Sequence, residues 1–239
     1  MRLKFNVPLL ILVLAAYSVS LSAQAFSWKN VEFSLSEGRS FFSSKSFQIV
    51  APQSSTPIDG EMSIKAMNRS EARLNFLTTD RFGSEVFFAY GTSSVVLKRV
   101  TTTPGSISMP LQVHQFGLNV LYYPVGSVTS KWRPYVTVGG GAVIFRPTGE
   151  GQRIATDPLQ GNLSTFIESS RGEGHAAVGI KRTLGKSFGI RAEIADVLAR
   201  APTFGLPATS DTANDSVLPV RGRINNVQAS IGIILYLGR

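Results

Sequence analysis

The sequence has no cysteine and only two histidines among its 239 residues. Without cysteine there is no disulfide framework, no thiolate metal site and no cysteine nucleophile. Two isolated histidines, without clustered carboxylates beside them, do not predict a metal site. We therefore expect a protein that works without a cofactor.

Charge is also scarce, because only 16% of the residues are Asp, Glu, Lys or Arg. A soluble domain usually has about a quarter, so this surface carries less charge than a soluble protein of this size. The formal net charge is +9, but no run of Lys and Arg is longer than two. This scattered pattern does not predict nucleic-acid binding. It favours contact with anionic lipid headgroups or lipopolysaccharide.

Long apolar runs are missing beyond the first 25 residues. Residues 1–25 combine the basic residues Arg2 and Lys4, an apolar run over 7–16 and a small-x-small sequence directly before Phe26. This arrangement predicts a cleaved signal peptide. A membrane anchor is the weaker interpretation, since a spanning helix needs roughly 20 apolar residues. The rest of the chain, 26–239, would cross a membrane only as strands.

The C-terminal stretch 226–239 alternates residue by residue, which predicts a β-strand. One face is apolar without a break, and the other is mostly small or polar. The apolar face consists of Val227, Ala229, Ile231, Ile233, Leu235 and Leu237. A tilted strand of about ten residues is long enough to cross a bilayer in a barrel.

Seven earlier segments show similar strand patterns, and they cover residues 26–43, 70–77, 84–100, 111–123, 134–145, 172–183 and 187–198. The connections between the eight strands run long, short, long, moderate, long, short, long. Outer-membrane barrels have this asymmetry, with short periplasmic turns and long extracellular loops. We therefore predict an all-β fold for 26–239: an eight-stranded antiparallel up-and-down transmembrane β-barrel in the outer membrane of a Gram-negative cell.

Aromatic residues collect near the predicted periplasmic turns, where a barrel needs an interfacial girdle. The residues assigned to this girdle are Trp28, Phe76, Phe82, Tyr122, Tyr123, Trp132, Tyr135, Phe188 and Tyr236.

With these features the chain resembles the small eight-stranded outer-membrane β-barrel proteins of the OmpX/OmpA-transmembrane-domain type. The resemblance covers essentially all of residues 26–239, and its most specific part is the C-terminal strand. In that family the outer-membrane assembly machinery recognises a polar-x-Gly-x-x-hydrophobic-x-hydrophobic signal, so the resemblance implies this machinery as a partner. The matching residues are Ser230, Gly232, Leu235 and Leu237. The family usually ends on an aromatic residue, whereas this chain continues with Gly238 and Arg239.

Polar residues on the faces opposite the apolar ones predict a network inside the barrel. They are Glu71, Arg73, His175, Lys181, Arg191, Glu193 and Gln228. An eight-stranded barrel is filled by its own side chains, and a buried charge is costly unless it is paired. We expect these residues to plug the barrel. A lining for small-solute passage is the alternative.

No motif pairs a nucleophile with a base, although His175 has Ser169, Ser170 and Glu173 nearby in sequence. The glycines 139–141 lie inside a strand, where they relieve crowding rather than cradle a phosphate. We therefore expect a non-enzymatic protein with a structural or surface-interaction role, its long loops contacting other macromolecules. The alternatives are a small channel for ions or hydrophobic solutes, a soluble lipocalin-like binder and a lipid-modifying hydrolase.

Overall fold

The fold is a closed antiparallel β-barrel of eight long strands, seen in a computed structural model that describes residues 31–49, 58–99, 105–125, 130–209 and 217–237. The predicted leader, Trp28, Gly238 and Arg239 lie outside these residues. The barrel strands are β1 (Val31–Phe42), β4 (Met67–Leu77), β5 (Phe82–Arg99), β6 (Gly105–Tyr122), β7 (Trp132–Pro147), β8 (Ser169–Thr183), β9 (Phe188–Arg200) and β10 (Arg223–Leu237). Among the described residues, no helix has the length and apolar character needed to cross a membrane.

Every barrel strand pairs with two neighbours, and β10 closes the sheet by pairing with both β1 and β9. A path of directly paired residues that starts at Val31 runs once around the barrel and returns to β1 at Phe41, ten residues further on. This stagger means that the strands are tilted relative to the barrel axis. The two described ends, Val31 and Leu237, are paired and lie at the end with the short turns. The predicted fold class is confirmed.

Side chains alternate between the interior and the outer wall along each strand, because successive residues of a strand point to opposite faces. On β10 the side chains of Ile231 and Ile233 are 64% and 62% exposed, whereas Gln228 and Ile234 are buried. The exposed aliphatic and aromatic residues of seven of the eight strands, all but β4, form a band on the wall, which we call the apolar belt. Its members include Leu35, Val86, Phe88, Phe116, Leu118, Val120, Val136, Val138, Val178, Ile180, Ile194, Val227, Ile231 and Ile233.

Two predicted loops contain regular structure instead. The segment 44–69, predicted to be a loop, holds the hairpin β2 (Lys45–Ile49) and β3 (Ile58–Ile64) as well as the start of β4. Strand β3 pairs with the upper half of β5, which extends the sheet beyond the barrel wall. The prediction failed here because Ser and Pro are frequent in the segment, and the strand pattern in each arm is short.

The predicted loop 146–171 contains a helix, α1 (Gly149–Thr156). Thr148 caps it, because its side-chain oxygen accepts a hydrogen bond from the Gly151 N–H at 3.1 Å. The Thr148 N–H donates to the Pro110 carbonyl at 3.1 Å, which ties the helix to the top of β6. An eight-residue helix offers too few turns for a clear periodic signal in the sequence.

The predicted aromatic girdle is correct only in part. Phe82, Trp132 and Phe188 are exposed on the wall near the short turns, as the girdle requires. Tyr123, Tyr135 and Tyr236 are buried inside the barrel instead. Proximity to a turn gives the height of a residue along the barrel but not its face, and the strand period places Tyr135 and Tyr236 inward.

The outward position of Ile231 leads to a test of the wall. We expect Ile231→Lys to lower the free energy of unfolding from lipid vesicles by about 2 to 4 kcal/mol, because it places a charge in the apolar belt. Asn225→Lys is the matched control, on the same strand and face but beyond the belt, and it should cost less than about 1 kcal/mol. Urea titrations of both variants measure the difference. Equal costs would contradict the assigned belt.

Candidate functional site inside the barrel

The centre of the barrel holds a closed ring of four charged side chains from β4, β5 and β9. Arg73 contacts Glu85 at 2.7 Å and Glu193 at 2.6 Å. Arg191 contacts the second oxygen of each carboxylate, at 2.9 Å to Glu85 and 2.8 Å to Glu193. The Tyr135 hydroxyl donates to Glu193 at 2.7 Å. Each carboxylate therefore bridges two guanidinium groups, so every charge in the ring has a partner of opposite sign.

A second tier continues this network toward the loop end. Arg69 pairs with Glu71 at 2.7 Å and donates to the side-chain oxygen of Gln228. Gln228 donates to Gln115 at 3.1 Å, and Gln115 donates to Glu173 at 2.9 Å. This chain of contacts links strands β4, β10, β6 and β8 across the lumen. Glu71 also contacts Arg73, which joins the tier to the central ring.

A third tier lies toward the short turns. The Lys181 ammonium donates to Glu32 at 2.5 Å and to the Tyr123 hydroxyl at 2.8 Å. Asn75 donates to the same two partners at 3.2 and 3.0 Å. The Arg133 guanidinium lies 3.9 Å from the centre of the Tyr123 ring, a cation–π geometry. These contacts fill the lower end of the barrel.

The buried charges of the network cancel. Among the described residues, five acidic side chains and five basic ones are buried in the barrel: Glu32, Glu71, Glu85, Glu173, Glu193, Arg69, Arg73, Arg133, Lys181 and Arg191. Strands β5 and β9 lie on opposite sides of the barrel, so the pair Glu85–Arg191 spans the lumen. A balanced set that meets across the centre offers no field that would attract ions of one sign.

Above the network, the loop end of the interior is filled by an apolar core. Met62, Met109, Leu111 and Phe145 are almost fully buried on the strands. Residues from the two long connections after β7 and β9 close this core from above: Ala155, Phe166, Phe204, Leu206, Leu218 and Val220. The ring centres of Phe166 and Phe204 are 4.6 Å apart. We call this layer the apolar cap.

The structure places all seven residues of the predicted lumen network on the inner face. Glu71, Arg73, Arg191, Glu193 and Gln228 lie in the central ring and the tier above it, and Lys181 lies in the tier below. His175 points inward as well, and its ring meets the Phe87 ring edge-on with 5.2 Å between the centres.

Sequence reasoning missed much of the network, above all Glu85, which contacts two arginines. Glu32 and Arg69 were missed too. Arg69 lies two residues before Glu71, which was predicted to face inward, and Glu32 lies on the polar face of the first strand. Extending each alternation to the ends of its strand finds all three. The inward position of Tyr135 follows from the same rule.

The two histidines lie on opposite sides of the barrel wall. His114 faces outward, with its ring centre 5.1 Å from that of Tyr90. His175 faces inward, and Glu173, two residues away, is held by Gln115. The wall separates the two imidazoles, so they cannot act on one substrate together. No group of His, Asp and Glu suited to a metal ion occurs in the described part of the chain.

The proposed assembly signal lies on the last strand. Ser230 and Gly232 point inward, whereas Leu235 and Leu237 point outward. Gly232 pairs with Ser36 of β1, and a Cβ at this glycine would lie 2.7 Å from the Ser36 Cβ, closer than real contacts allow. Close approach of β10 to β1 therefore requires glycine at this position. Recognition by the assembly machinery stays a prediction.

Comparison with known proteins agrees with this architecture. No protein-family model matches the chain, and no curated protein matches its sequence. The outer membrane protein OprG from Pseudomonas aeruginosa is similar in structure, with a TM-score of 0.54 and 17% identity over 87% of this chain and 96% of that one. The outer membrane protein AlkL, solved in lipid bilayers, gives a TM-score of 0.50 and 12% identity over 90% and 95%. The chain therefore has the fold of the small outer-membrane barrels, which confirms the predicted resemblance.

The central ring leads to a second test. Glu85→Gln keeps the shape of the side chain but removes the carboxylate that Arg73 and Arg191 share, which leaves the buried ring with an uncompensated positive charge. We therefore expect a loss of about 3 to 5 kcal/mol in the free energy of unfolding. The control is Glu168→Gln, which removes an exposed pair with Arg146 and should cost less than about 1 kcal/mol. Unfolding titrations in vesicles compare them. Similar losses would show that the ring adds no more than a surface pair.

Proposed function

We propose that this protein is an integral outer-membrane barrel that is closed to solutes and non-enzymatic. It would act structurally and through the surface that it presents outside the cell. The observation that carries the proposal is the filled interior. A charge-balanced network occupies the middle and lower barrel, and the apolar cap occupies the top.

The apolar belt supports the membrane location. Large apolar side chains such as Val138, Val178 and Ile231 are more than half exposed, and exposed apolar residues lie on seven of the eight strands. Soluble monomers rarely expose a continuous apolar surface of this extent. A lipocalin has an apolar cavity, whereas this barrel has ten charged side chains inside it. Lipid around the belt accounts for the exposed apolar wall.

Paired residues from opposite walls support closure. The Glu85–Arg191 contact crosses the lumen. The neighbouring Arg73–Glu193 contact links β4 with β9. Water and ions would pass only if several buried pairs separated at once. Each separation leaves a charge without its partner in a low-dielectric interior, which is costly.

The loop end offers the surface for interaction. Strands β2, β3, β5 and β6 continue the sheet beyond the wall. Within the described residues the outer edge of β2 has no strand partner. Free edge strands can pair with an extended segment of another chain. Contact with a surface macromolecule or with lipopolysaccharide would occur at this end.

A channel for hydrophobic solutes is the second candidate, and one observation favours it. Three methionines, Met62, Met67 and Met109, lie in the apolar cap. Methionine side chains are flexible and adapt to irregular apolar shapes. A cap built in this way would take an apolar molecule rather than an ion.

Recordings across planar bilayers test closure. We expect the refolded protein to give no conductance steps, because the paired network blocks the lumen. A sixteen-stranded porin, whose wide barrel leaves an aqueous channel, is the positive control in the same bilayers. Reproducible steps from the protein would contradict the sealed barrel. Uptake of an apolar dye into vesicles without conductance would favour the second candidate.

Fractionation tests the membrane location separately. We expect the protein in the outer-membrane fraction, with a gel mobility that changes on boiling because the folded barrel resists detergent. Recovery from the soluble periplasm, with a gel mobility that boiling does not change, would contradict the proposed location.

A further inference from the structure

The apolar belt is interrupted on one side of the barrel. Glu37 and Arg39 of β1 point outward and are exposed. Their paired residues on β4 are polar too, because Glu37 lies opposite Ser70 and Arg39 opposite Asn68. We call these four residues the polar seam.

The seam lies within the belt and not at its rim. On the same face of β1, Leu35 below and Phe41 above are both exposed apolar residues. On the next strand, Glu37 pairs with Ile231, which lies in the middle of the apolar face of β10. A third outward charge, Asp196 of β9, is on the same side of the barrel and is separated from β1 only by β10. Charge is therefore concentrated on this part of the wall.

Glu37 and Arg39 have no partner of opposite charge in the part of the chain that the structure describes. Within the described residues neither forms an ion pair, and the Arg39 guanidinium lies 5.7 Å from the centre of the Phe41 ring. A charge that faces lipid hydrocarbon is costly, and such residues usually mark a contact or a functional site. The seam thus has an acid and a base that are both available to another molecule.

The wall beside the seam has relief that suits a protein surface. A shallow groove of about 970 Å³ runs along one side, and the small residues Ala229 and Ala192 line it. A second groove of about 470 Å³ lies on the other side, next to Ala72. Glu37 lines both grooves. Side chains from a partner could enter them on either side of the charged residues.

We propose that the polar seam is the contact surface between two copies of this chain in the membrane. A two-fold axis along the membrane normal brings the same patch of both copies together. Acid and base lie two residues apart on one tilted strand, so an axis placed between them brings Glu37 of each copy within side-chain reach of Arg39 of the other. The seam is self-complementary in charge, which is why we choose a second copy as the occupant. The inference rests on the membrane location proposed above.

Cysteine crosslinking tests this contact, and the natural absence of cysteine makes single variants clean. Ser70→Cys places a thiol in the seam. Val138→Cys places one on β7, on the far side of the barrel, at another exposed and outward-facing site. With a lipid-soluble oxidant in native membranes, we expect Ser70→Cys to give a covalent dimer at several times the yield of Val138→Cys. Equal yields, or a product with the mass of a different protein, would overturn the second-copy contact.

Charge reversal tests the pairing itself. In the Ser70→Cys background, Glu37→Arg alone or Arg39→Glu alone should reduce the dimer several-fold, because like charges then face each other. The double variant Glu37→Arg/Arg39→Glu should restore it. Failure of the double variant to restore the dimer would overturn the proposed ion pairs.

Each variant is first checked for outer-membrane fractionation and for heat-dependent gel mobility. A folded, membrane-inserted Ser70→Cys protein that gives no dimer overturns the contact and leaves the proposed location intact. Wild-type protein in the soluble fraction overturns both.

Discussion

The structure depends on closure of the sheet. In lipid no water can satisfy an open strand edge, so each backbone N–H and C=O in the wall must be paired within the protein. Strand β10 meets this demand because it pairs along its length with both β1 and β9. Gly232 allows β10 to approach Ser36 of β1 closely where the sheet closes. Once the sheet is closed, every residue belongs either to the interior or to the outer wall.

The interior and the wall solve opposite problems with the same strands. Inside, Arg73, Glu85, Arg191 and Glu193 share their charges in a ring, and the apolar cap closes the space above. Outside, the wall is apolar apart from a few positions, which include Glu37 and Arg39. The buried charges are paired inside the barrel, whereas an acid and a base stand exposed on its wall, where lipid would make them costly. The proposed contact between two copies gives these two residues partners of opposite charge.

Much of the fold could be predicted from the sequence, because a period of two fixes both strands and faces. The same pattern indicated inward charges such as Arg73 and Arg191. It missed Glu85 because the alternation was not extended to the start of β5. Which charges meet across the lumen depends on the stagger of the sheet, a long-range property that the pattern of one strand does not contain. Helix α1 and the β2–β3 hairpin were missed because short elements in polar segments take their stability from packing on the barrel.

The central claim is a sealed barrel whose outer wall faces lipid. The most direct test is a scan of single cysteine variants along β10, from Val227 to Leu237 with Gly232 left out, each carrying a spin label in lipid vesicles. We predict that the odd-numbered positions between them are accessible to oxygen dissolved in the bilayer. The even-numbered ones should be shielded from both oxygen and a water-soluble relaxation agent. Access of the water-soluble agent to the even positions would reveal an open lumen, and its access to the odd ones would contradict the membrane location.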